Sequence, residues 1–378
     1  MKRIILCFDG TWNNPSDHTN VYHFYQSVEK DEQKQQVAEY FNGVGNHVHD
    51  RIRGGIFGEG ISDKVKKGYA YLIQQYELGD EIFLVGFSRG AYTARSLVGL
   101  IRKAGLLSRA KIEKPYHLIK DAYELYRLRD PGPDTDDAQA FRKQYSYYDV
   151  SKEGTGDPLD TNPVKIKFLG VWDTVGSLGI PISVLSSCGY TIEEIEKIKS
   201  KQFHDVKLSG LVENAFHALA VDEHRRDYDA TLWDSKVKPG QHVEQVWFVG
   251  AHTDVGGGGG DNHYDTLNRI ALEWMQKKAI QCGLELCDNE IMTTAPHDSL
   301  AKIYDSYTAF SDLFGIFKDI FTKINQPYYR EIGTTQYGSE MISTSVNFRL
   351  NEDRDYHPQN PVGGYISGRR ENAQAGKL

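Results

Sequence analysis

The sequence has few cysteines, and none stands in a pattern that would bind a metal or build a disulfide framework. The chain of 378 residues contains four: Cys7, Cys188, Cys282 and Cys287. They form no CxxC pair and have no histidine at zinc-finger spacing. A chain of this length can bury a sufficient core without disulfides. We therefore expect reduced thiols.

Long apolar runs and clusters of basic residues are also missing. The first apolar run ends at Asp9, too short for a signal peptide, and no window of about 18 residues is apolar and uncharged. Lys and Arg number 44 against 52 Asp and Glu, for a net charge of −8, and they are scattered. The sequence predicts a protein that is cytoplasmic in the producing cell, has no signal peptide or transmembrane segment, and does not bind nucleic acid.

What the sequence does contain is a globular composition, 39% hydrophobic and 25% charged, with a repeating order of elements. Continuous apolar segments followed by polar or glycine residues predict buried strands at 3–8, 81–87, 164–172 and 243–250. Apolar residues at helical spacing predict helices at 61–78, 91–106 and 267–283. This alternation predicts an α/β fold, α/β-hydrolase-like, with a mostly parallel central sheet and helices on both faces.

Three stretches interrupt the alternation. They lie at about 107–163, 178–212 and 285–340, and the first has too few apolar residues for a core of its own. We therefore expect a single domain over 1–378 in which these stretches are helical insertions of the lid or cap type.

The strongest local motif is a G-x-S-x-G between a predicted strand and a predicted helix, at Gly86 to Gly90 with Ser88 at its centre. On a sharp strand-to-helix turn the flanking glycines leave room for a strained backbone, and the serine projects above the sheet. A plain glycine-rich turn is the alternative. The context favours Ser88 as a nucleophile.

A serine nucleophile needs a histidine base and a carboxylate that orients it, both at the ends of neighbouring strands. Asp173 follows the strand at 164–172, and His252 follows the strand at 243–250. Ser88, Asp173 and His252 therefore form the most economical triad. Asp254 is the rival acid, with loop shaping as its alternative role.

Acyl transfer also needs backbone donors for the oxyanion. The residue after the nucleophile, Arg89, supplies one N–H in this architecture. The loop that follows the first strand is the natural source of the other, from Gly10 or Thr11, with Asp9 either holding this loop or capping a turn.

No cofactor is predicted, because the glycine clusters at 54–60 and 255–260 match neither a phosphate-binding loop nor a dinucleotide fingerprint. A metal-dependent phosphohydrolase is an alternative enzyme class, and its ligands would be Asp9, Asp173, His252 and Asp254. The triad assignment needs no metal.

A phenylalanine-rich stretch at 310–324 has apolar residues three and four positions apart. Its phenylalanines are candidates for lipid contact: Phe310, Phe314, Phe317 and Phe321. Such a helix could act as a lipase lid or as a peripheral membrane anchor, and a helix packed on the body of the protein is the alternative.

Five ordered segments resemble one known family. They are CFDGTWNN at 7–14, YELGDEIFLVGFSRGAYTARSLVGLI at 76–101, GVWDTVGSLG at 170–179, HALAVDEHR at 217–225 and QVWFVGAHTDVGGG at 245–258. Together they resemble the α/β-hydrolase domain of the type VI secretion phospholipase effectors of lipase family one. The resemblance runs from residue 4 to about 360.

This resemblance implies a Ser-Asp-His hydrolase of phospholipase A type, acting on acyl esters of glycerophospholipids, and it falls on Ser88, Asp173 and His252. It also implies an antibacterial effector exported by type VI secretion, with a secretion-apparatus or immunity protein as partner. Where many relatives carry His-x-Ser-Val, this chain has Ser343. If that histidine were the base, the chain would be an inactive scaffold that binds a lipid or a protein.

Overall fold

The computed structural model describes residues 1–30, 35–43, 56–113, 115–128, 132–154, 156–176, 207–234, 236–259, 266–305, 328–337, 339–360 and 362, with the backbone alone at 56–59, 115 and 227. Within these ranges the strands are β1 (Arg3–Phe8), β2 (Gln36–Phe41), β3 (Glu81–Phe87), β4 (Ile166–Trp172), β5 (Val212–Ala220), β6 (His242–Phe248) and β7 (Glu340–Ile342). The helices are α1 (Asn20–Ser27), α2 (Ile56–Gln75), α3 (Arg89–Ala104), α4 (Pro115–Arg127), α5 (Asp136–Tyr145), α6 (His252–Gly256), α7 (Leu267–Gln281) and α8 (Thr344–Glu352).

The seven strands form one sheet in the order β2-β1-β3-β4-β5-β6-β7, and every neighbouring pair is parallel. All carboxyl ends therefore lie at one edge, which is where ligands bind in open α/β sheets. The predicted α/β architecture is confirmed, and so are the four predicted strands, with small shifts at their ends.

Side chains of successive strand residues alternate between the two faces of the sheet. In β1, Ile4 and Leu6 pack with Leu97 of α3 on one face, whereas Ile5 packs with Phe24 of α1 on the other. Each face is thus covered by helices, which explains why the central strands are continuously apolar.

The first predicted insertion, 107–163, contains α4 and α5. Both helices pack on α3. The side chain of Tyr126 in α4 lies against Gly99, and Arg142 in α5 donates to the Lys103 carbonyl at 2.9 Å. Much of the insertions at 178–212 and 285–340 lies outside the described residues.

Candidate active site

Ser88 lies on the sharp turn between β3 and α3. Its backbone has φ 56° and ψ −120°, a conformation that residues with a side chain rarely adopt. Its N–H donates to the Trp172 carbonyl at 3.0 Å, which ties the turn to the end of β4. The strained turn predicted for the G-x-S-x-G motif is present.

The flanking glycines are required by close backbone contacts. A Cβ at Gly86 would lie 2.5 Å from the Gly90 carbonyl oxygen, and a Cβ at Gly90 would lie 2.1 Å from the Phe8 carbonyl oxygen. These distances are well inside van der Waals contact, so neither position has room for a side chain. The motif allows α3 to begin directly against β1 and β3.

Asp173 and His252 meet at the same edge of the sheet. Asp173 is the residue after β4 and His252 begins α6, which follows β6. The Nδ1 atom of His252 lies 2.6 Å from Oδ2 of Asp173, and both residues are buried. With Nδ1 donating to the carboxylate, Nε2 is left as the acceptor nitrogen of the ring.

Arg330 completes this ion pair, and sequence reasoning did not identify it. Its Nη1 and Nη2 atoms donate to Oδ1 and Oδ2 of Asp173 at 2.7 and 2.9 Å. The Ala220 N–H donates to Oδ1 at 3.1 Å. Burial would raise the pKa of Asp173, but Arg330 and His252 hold it well below its usual range. Asp173 is therefore a carboxylate across the physiological range.

A second acidic residue holds the backbone of His252 in place. Glu223 accepts the His252 N–H at 3.2 Å and forms a two-point ion pair with Arg225, at 2.8 Å for both bonds. Burial would raise the pKa of Glu223, but Arg225 lowers it to about 2. Both residues come from the 217–225 segment, which carries part of the family resemblance. Glu223 and Arg225 act structurally here, by fixing the start of α6.

The His252 ring lies between two aromatic rings, Phe87 at 4.6 Å and Tyr228 at 4.9 Å between centroids. This burial lowers the pKa of His252 below its ordinary value, although the contact with Asp173 opposes the shift. The ring is therefore neutral at neutral pH. A neutral imidazole whose Nε2 is an acceptor is suited to serve as a general base.

The loop after β1 offers fewer oxyanion donors than expected. The Gly10 N–H donates to Oδ1 of Asp9 at 2.7 Å, so this donor is already engaged. Neither the N–H nor the hydroxyl of Thr11 has a hydrogen-bond partner among the residues described. The Arg89 N–H is the first of α3 and accordingly has no helical acceptor.

Asp9 holds this loop through a buried network. Its Oδ2 atom accepts the hydroxyls of Thr19 and Tyr40 at 2.6 and 2.5 Å. Burial raises the pKa of Asp9 to about 6, although these hydrogen bonds oppose the shift. Its contacts are those of a residue that shapes the loop.

Asp254 does not touch the His252 ring. Its Oδ2 atom accepts the N–H groups of Ala251 and Tyr304 at 2.9 and 3.0 Å, while Oδ1 is buried and has no partner in the described part of the chain. Burial raises the pKa of Asp254 to about 7. These contacts match the loop-shaping role that was the alternative to its role as an acid.

The proposed metal ligands are engaged in hydrogen bonds within the protein. Both oxygens of Asp9 and of Asp173 already accept hydrogen bonds. In the part of the chain that the structure describes, no three His, Cys, Asp or Glu side chains are arranged to hold a metal ion.

Ser343, which stands where many relatives have a histidine, caps α8 by accepting the Ser345 N–H at 3.2 Å. The lipid-contact candidates lie outside the described residues: Phe310, Phe314, Phe317 and Phe321.

Among known proteins, the chain is 29% identical to Uncharacterized protein YEL023C of Saccharomyces cerevisiae over 241 residues, which is 59% of this chain and 31% of that one. An uncharacterized protein from Pseudomonas aeruginosa, solved by crystallography, matches at 15% identity with a TM-score of 0.45, covering 84% of this chain and 50% of the other. The Tle1 effector, solved bound to the VgrG spike of the type 6 secretion system, matches at 18% identity with a TM-score of 0.34, covering 68% and 51%.

The chain thus spans about a third to a half of the length of these proteins. None of the helices that the structure describes combines the length and apolarity needed to cross a bilayer. The family model described as T6SS, Phospholipase effector Tle1-like, catalytic domain matches residues 2–278. The chain belongs to this family of type VI secretion Tle1-like phospholipase effector catalytic domains.

Proposed function

We propose that this protein is a serine esterase that cleaves acyl esters of glycerophospholipids, with phospholipase A specificity. Family membership supports a lipase or phospholipase activity. The observation that carries the mechanism is the 2.6 Å contact between His252 and Asp173, at the sheet edge where Ser88 sits on its strained turn. Ser88 is the nucleophile, His252 the base and Asp173 the residue that orients it.

In the first half of the reaction, Ser88 Oγ forms a bond to the ester carbonyl carbon while its proton passes to Nε2 of His252. The ester C–O bond then breaks, and the imidazolium gives that proton to the leaving alkoxide. Water repeats the sequence on the acyl-enzyme and releases a fatty acid. Asp173, kept anionic by Arg330, stabilises the imidazolium in both halves.

No hydrogen bond joins the Ser88 hydroxyl to His252 within the described ranges. In free enzymes this contact commonly tightens only when substrate is bound. The negative charge that develops on the former carbonyl oxygen faces the start of α3, where the Arg89 N–H and the helix dipole favour negative charge. The Thr11 N–H is the second donor, since that of Gly10 is engaged by Asp9.

The partner and the site of action are part of the same proposal. The related Tle1 effector was solved bound to a VgrG spike. We infer that this chain is likewise delivered by a secretion apparatus to act on the phospholipids of another cell. Co-purification with the VgrG proteins of the producing organism tests the partner, and the absence of a stable complex would contradict it.

A fluorophosphonate probe with mass mapping tests the mechanism. Labelling is expected at Ser88, because the attacking atom is the Ser88 hydroxyl oxygen activated by His252. Ester turnover is expected to be unaffected by a chelator. The matched control is Ser96→Ala, which removes another buried hydroxyl of α3 and leaves the label in place. Turnover that a chelator abolishes, with no label on Ser88, would favour the metal-dependent alternative.

A further inference from the structure

Arg89 differs from the other buried arginines that the structure describes. Arg142, Arg330 and Arg349 each donate to carbonyl or carboxylate oxygens. Arg89 is only 4% exposed, and its Nε and Nη1 atoms are buried with no hydrogen-bond partner among the described residues. A buried cation without a counter-ion is costly to the folded state, so its presence needs an explanation.

No carboxylate in the described surroundings is free to pair with Arg89. Its guanidinium lies 5.6 Å from the centre of the Trp12 ring, and a second cation, Arg225, acts on it electrostatically. Arg225 itself takes both oxygens of Glu223. Burial lowers the pKa of Arg89, and the charge of Arg225 acts in the same direction. The electrostatics here favour the arrival of an anion.

Arg89 is also linked to the residues that surround the reacting groups. Arg89 follows Ser88 directly in the chain, and its charge acts on Tyr228, whose ring packs 4.9 Å from that of His252. The N-terminus of α3, sixteen residues long, adds a favourable field for negative charge at the same place. An anion bound by Arg89 would therefore lie beside the ester that Ser88 attacks.

We propose that the Arg89 side chain binds the phosphate of the lipid substrate and thereby selects phospholipids over neutral acylglycerols. The inference rests on the proposed function. In a glycerophospholipid only the glycerol backbone separates the phosphate from the acyl esters, which suits adjacent sites. The guanidinium fork matches two phosphate oxygens. A neutral lipid leaves the buried cation unpaired, and sites that leave polar groups unpaired reject a ligand strongly.

The first test compares phosphatidylglycerol with a diacylglycerol of the same acyl chains in one detergent micelle. We expect the ratio of kcat/KM for the two lipids to fall at least about tenfold in Arg89→Met, since a charged hydrogen bond is lost. The control is Arg109→Gln, which removes an arginine from an exposed pair with Glu77 and leaves the ratio unchanged.

Thermal unfolding separates binding from a structural role. Methionine fills similar volume without a buried charge, so Arg89→Met is expected to raise the melting temperature. An equal loss of activity on both lipids with a lower melting temperature would overturn the proposal, because Arg89 would then simply support the turn.

The second test uses inorganic phosphate, at constant ionic strength, as an inhibitor of diacylglycerol hydrolysis. Inhibition of the wild type that is lost in Arg89→Met supports the anion site, whether the phosphate is free or part of a lipid. If phosphate inhibits diacylglycerol hydrolysis but neither the wild type nor any variant cleaves phospholipid, the phospholipid substrate is wrong and the anion site at Arg89 is supported. If phospholipid is cleaved but Arg89→Met has the wild-type ratio of kcat/KM and the wild-type inhibition by phosphate, the proposed role of Arg89 is wrong and the proposed function is not affected.

Discussion

Arg330 is the residue that most strongly offsets the cost of burying the candidate acid, because it neutralises a carboxylate that has no contact with water. Asp173 is fully buried, and Arg330 contacts both of its oxygens. Removing one partner of a buried ion pair costs about 3–5 kcal/mol. Arg330→Met should therefore lower the free energy of unfolding by that amount. It should also move the acid limb of kcat/KM to higher pH, since a nearby positive charge no longer opposes protonation of His252.

The pH profile of kcat/KM on a soluble ester, with thermal unfolding, checks both effects. Arg142→Met is the matched control, because Arg142 is equally buried but lies on α5, where it bonds the Lys103 and Pro133 carbonyls. This control should lose stability and keep its acid limb. An acid limb that Arg330→Met leaves unmoved would show that Arg330 does not act on the pair.

Protonated Asp254 stabilises the folded protein, and this contribution to the free energy of unfolding declines between about pH 4 and pH 7. Its pKa is raised to about 7 in the fold. The folded state thus holds the proton more tightly than the unfolded chain, and the stability present below pH 4 is lost as pH rises through 7. Asp254→Asn keeps an acceptor for the Ala251 and Tyr304 N–H groups and removes the titration. We expect it to stabilise the protein at pH 8, by at most about 4 kcal/mol.

Urea unfolding at pH 5 and pH 8 checks this expectation. Asp298→Asn is the control, because Asp298 accepts the Ala295 N–H in the same local geometry but is partly exposed. A stability difference between pH 5 and pH 8 that persists in Asp254→Asn would assign the titration to another group, such as Asp9.

Sequence reasoning predicted those residues of the candidate site that follow a strand end. Ser88, Asp173 and His252 were predicted because each follows a buried parallel strand, and such ends converge. Arg330 could not be predicted in this way, since it lies in a predicted insertion and pairs with Asp173 across a large sequence separation. The engagement of the Gly10 N–H by Asp9 was equally invisible, because it depends on the fold of one turn.

At the scale of elements, the turn from β3 into α3 depends on the absence of a side chain. A Cβ at Gly90 would meet the Phe8 carbonyl oxygen of β1, a backbone atom that cannot move aside. Gly90→Ala should therefore push α3 away from the sheet. We expect a loss of at least about 2 kcal/mol in unfolding free energy and a large loss of esterase activity.

Chemical unfolding and ester turnover measure these losses. Gly156→Ala is the control, because a Cβ there meets nothing closer than an Asp160 oxygen at 3.5 Å. It should behave as the wild type does. A Gly90→Ala variant with wild-type stability would mean that the turn is looser than its contacts indicate.

The strands that were predicted are those buried on both faces. The edge strands β2 and β7 were missed, because only Gln36 in β2 and Glu340 in β7 are fully buried and neither strand forms a continuous apolar run. The strand β5 was not predicted either, because Glu213, Asn214 and His217 interrupt its apolar residues. The pairing of β5 with β4 and β6 is a tertiary contact, and the local sequence pattern does not reveal such contacts.

At the scale of the whole molecule, the parallel sheet gathers residues that are far apart in sequence at one edge. The order of strands from β3 to β6 follows the order Ser88, Asp173, His252 along the chain. The α/β class could be predicted from the sequence alone, because buried strands alternate with helical segments along the chain. Substrate choice, in our proposal, depends instead on a single side chain, that of Arg89.

Analysis of the lipid products formed by the purified protein from phospholipid vesicles tests the central claim most directly. The wild type and Ser96→Ala are expected to release fatty acid and lysophospholipid, and Ser88→Ala is expected to release neither while keeping its melting temperature. Fatty acid release by Ser88→Ala would contradict the assignment of the nucleophile. Diacylglycerol and a phosphorylated headgroup as products would contradict cleavage of the acyl ester.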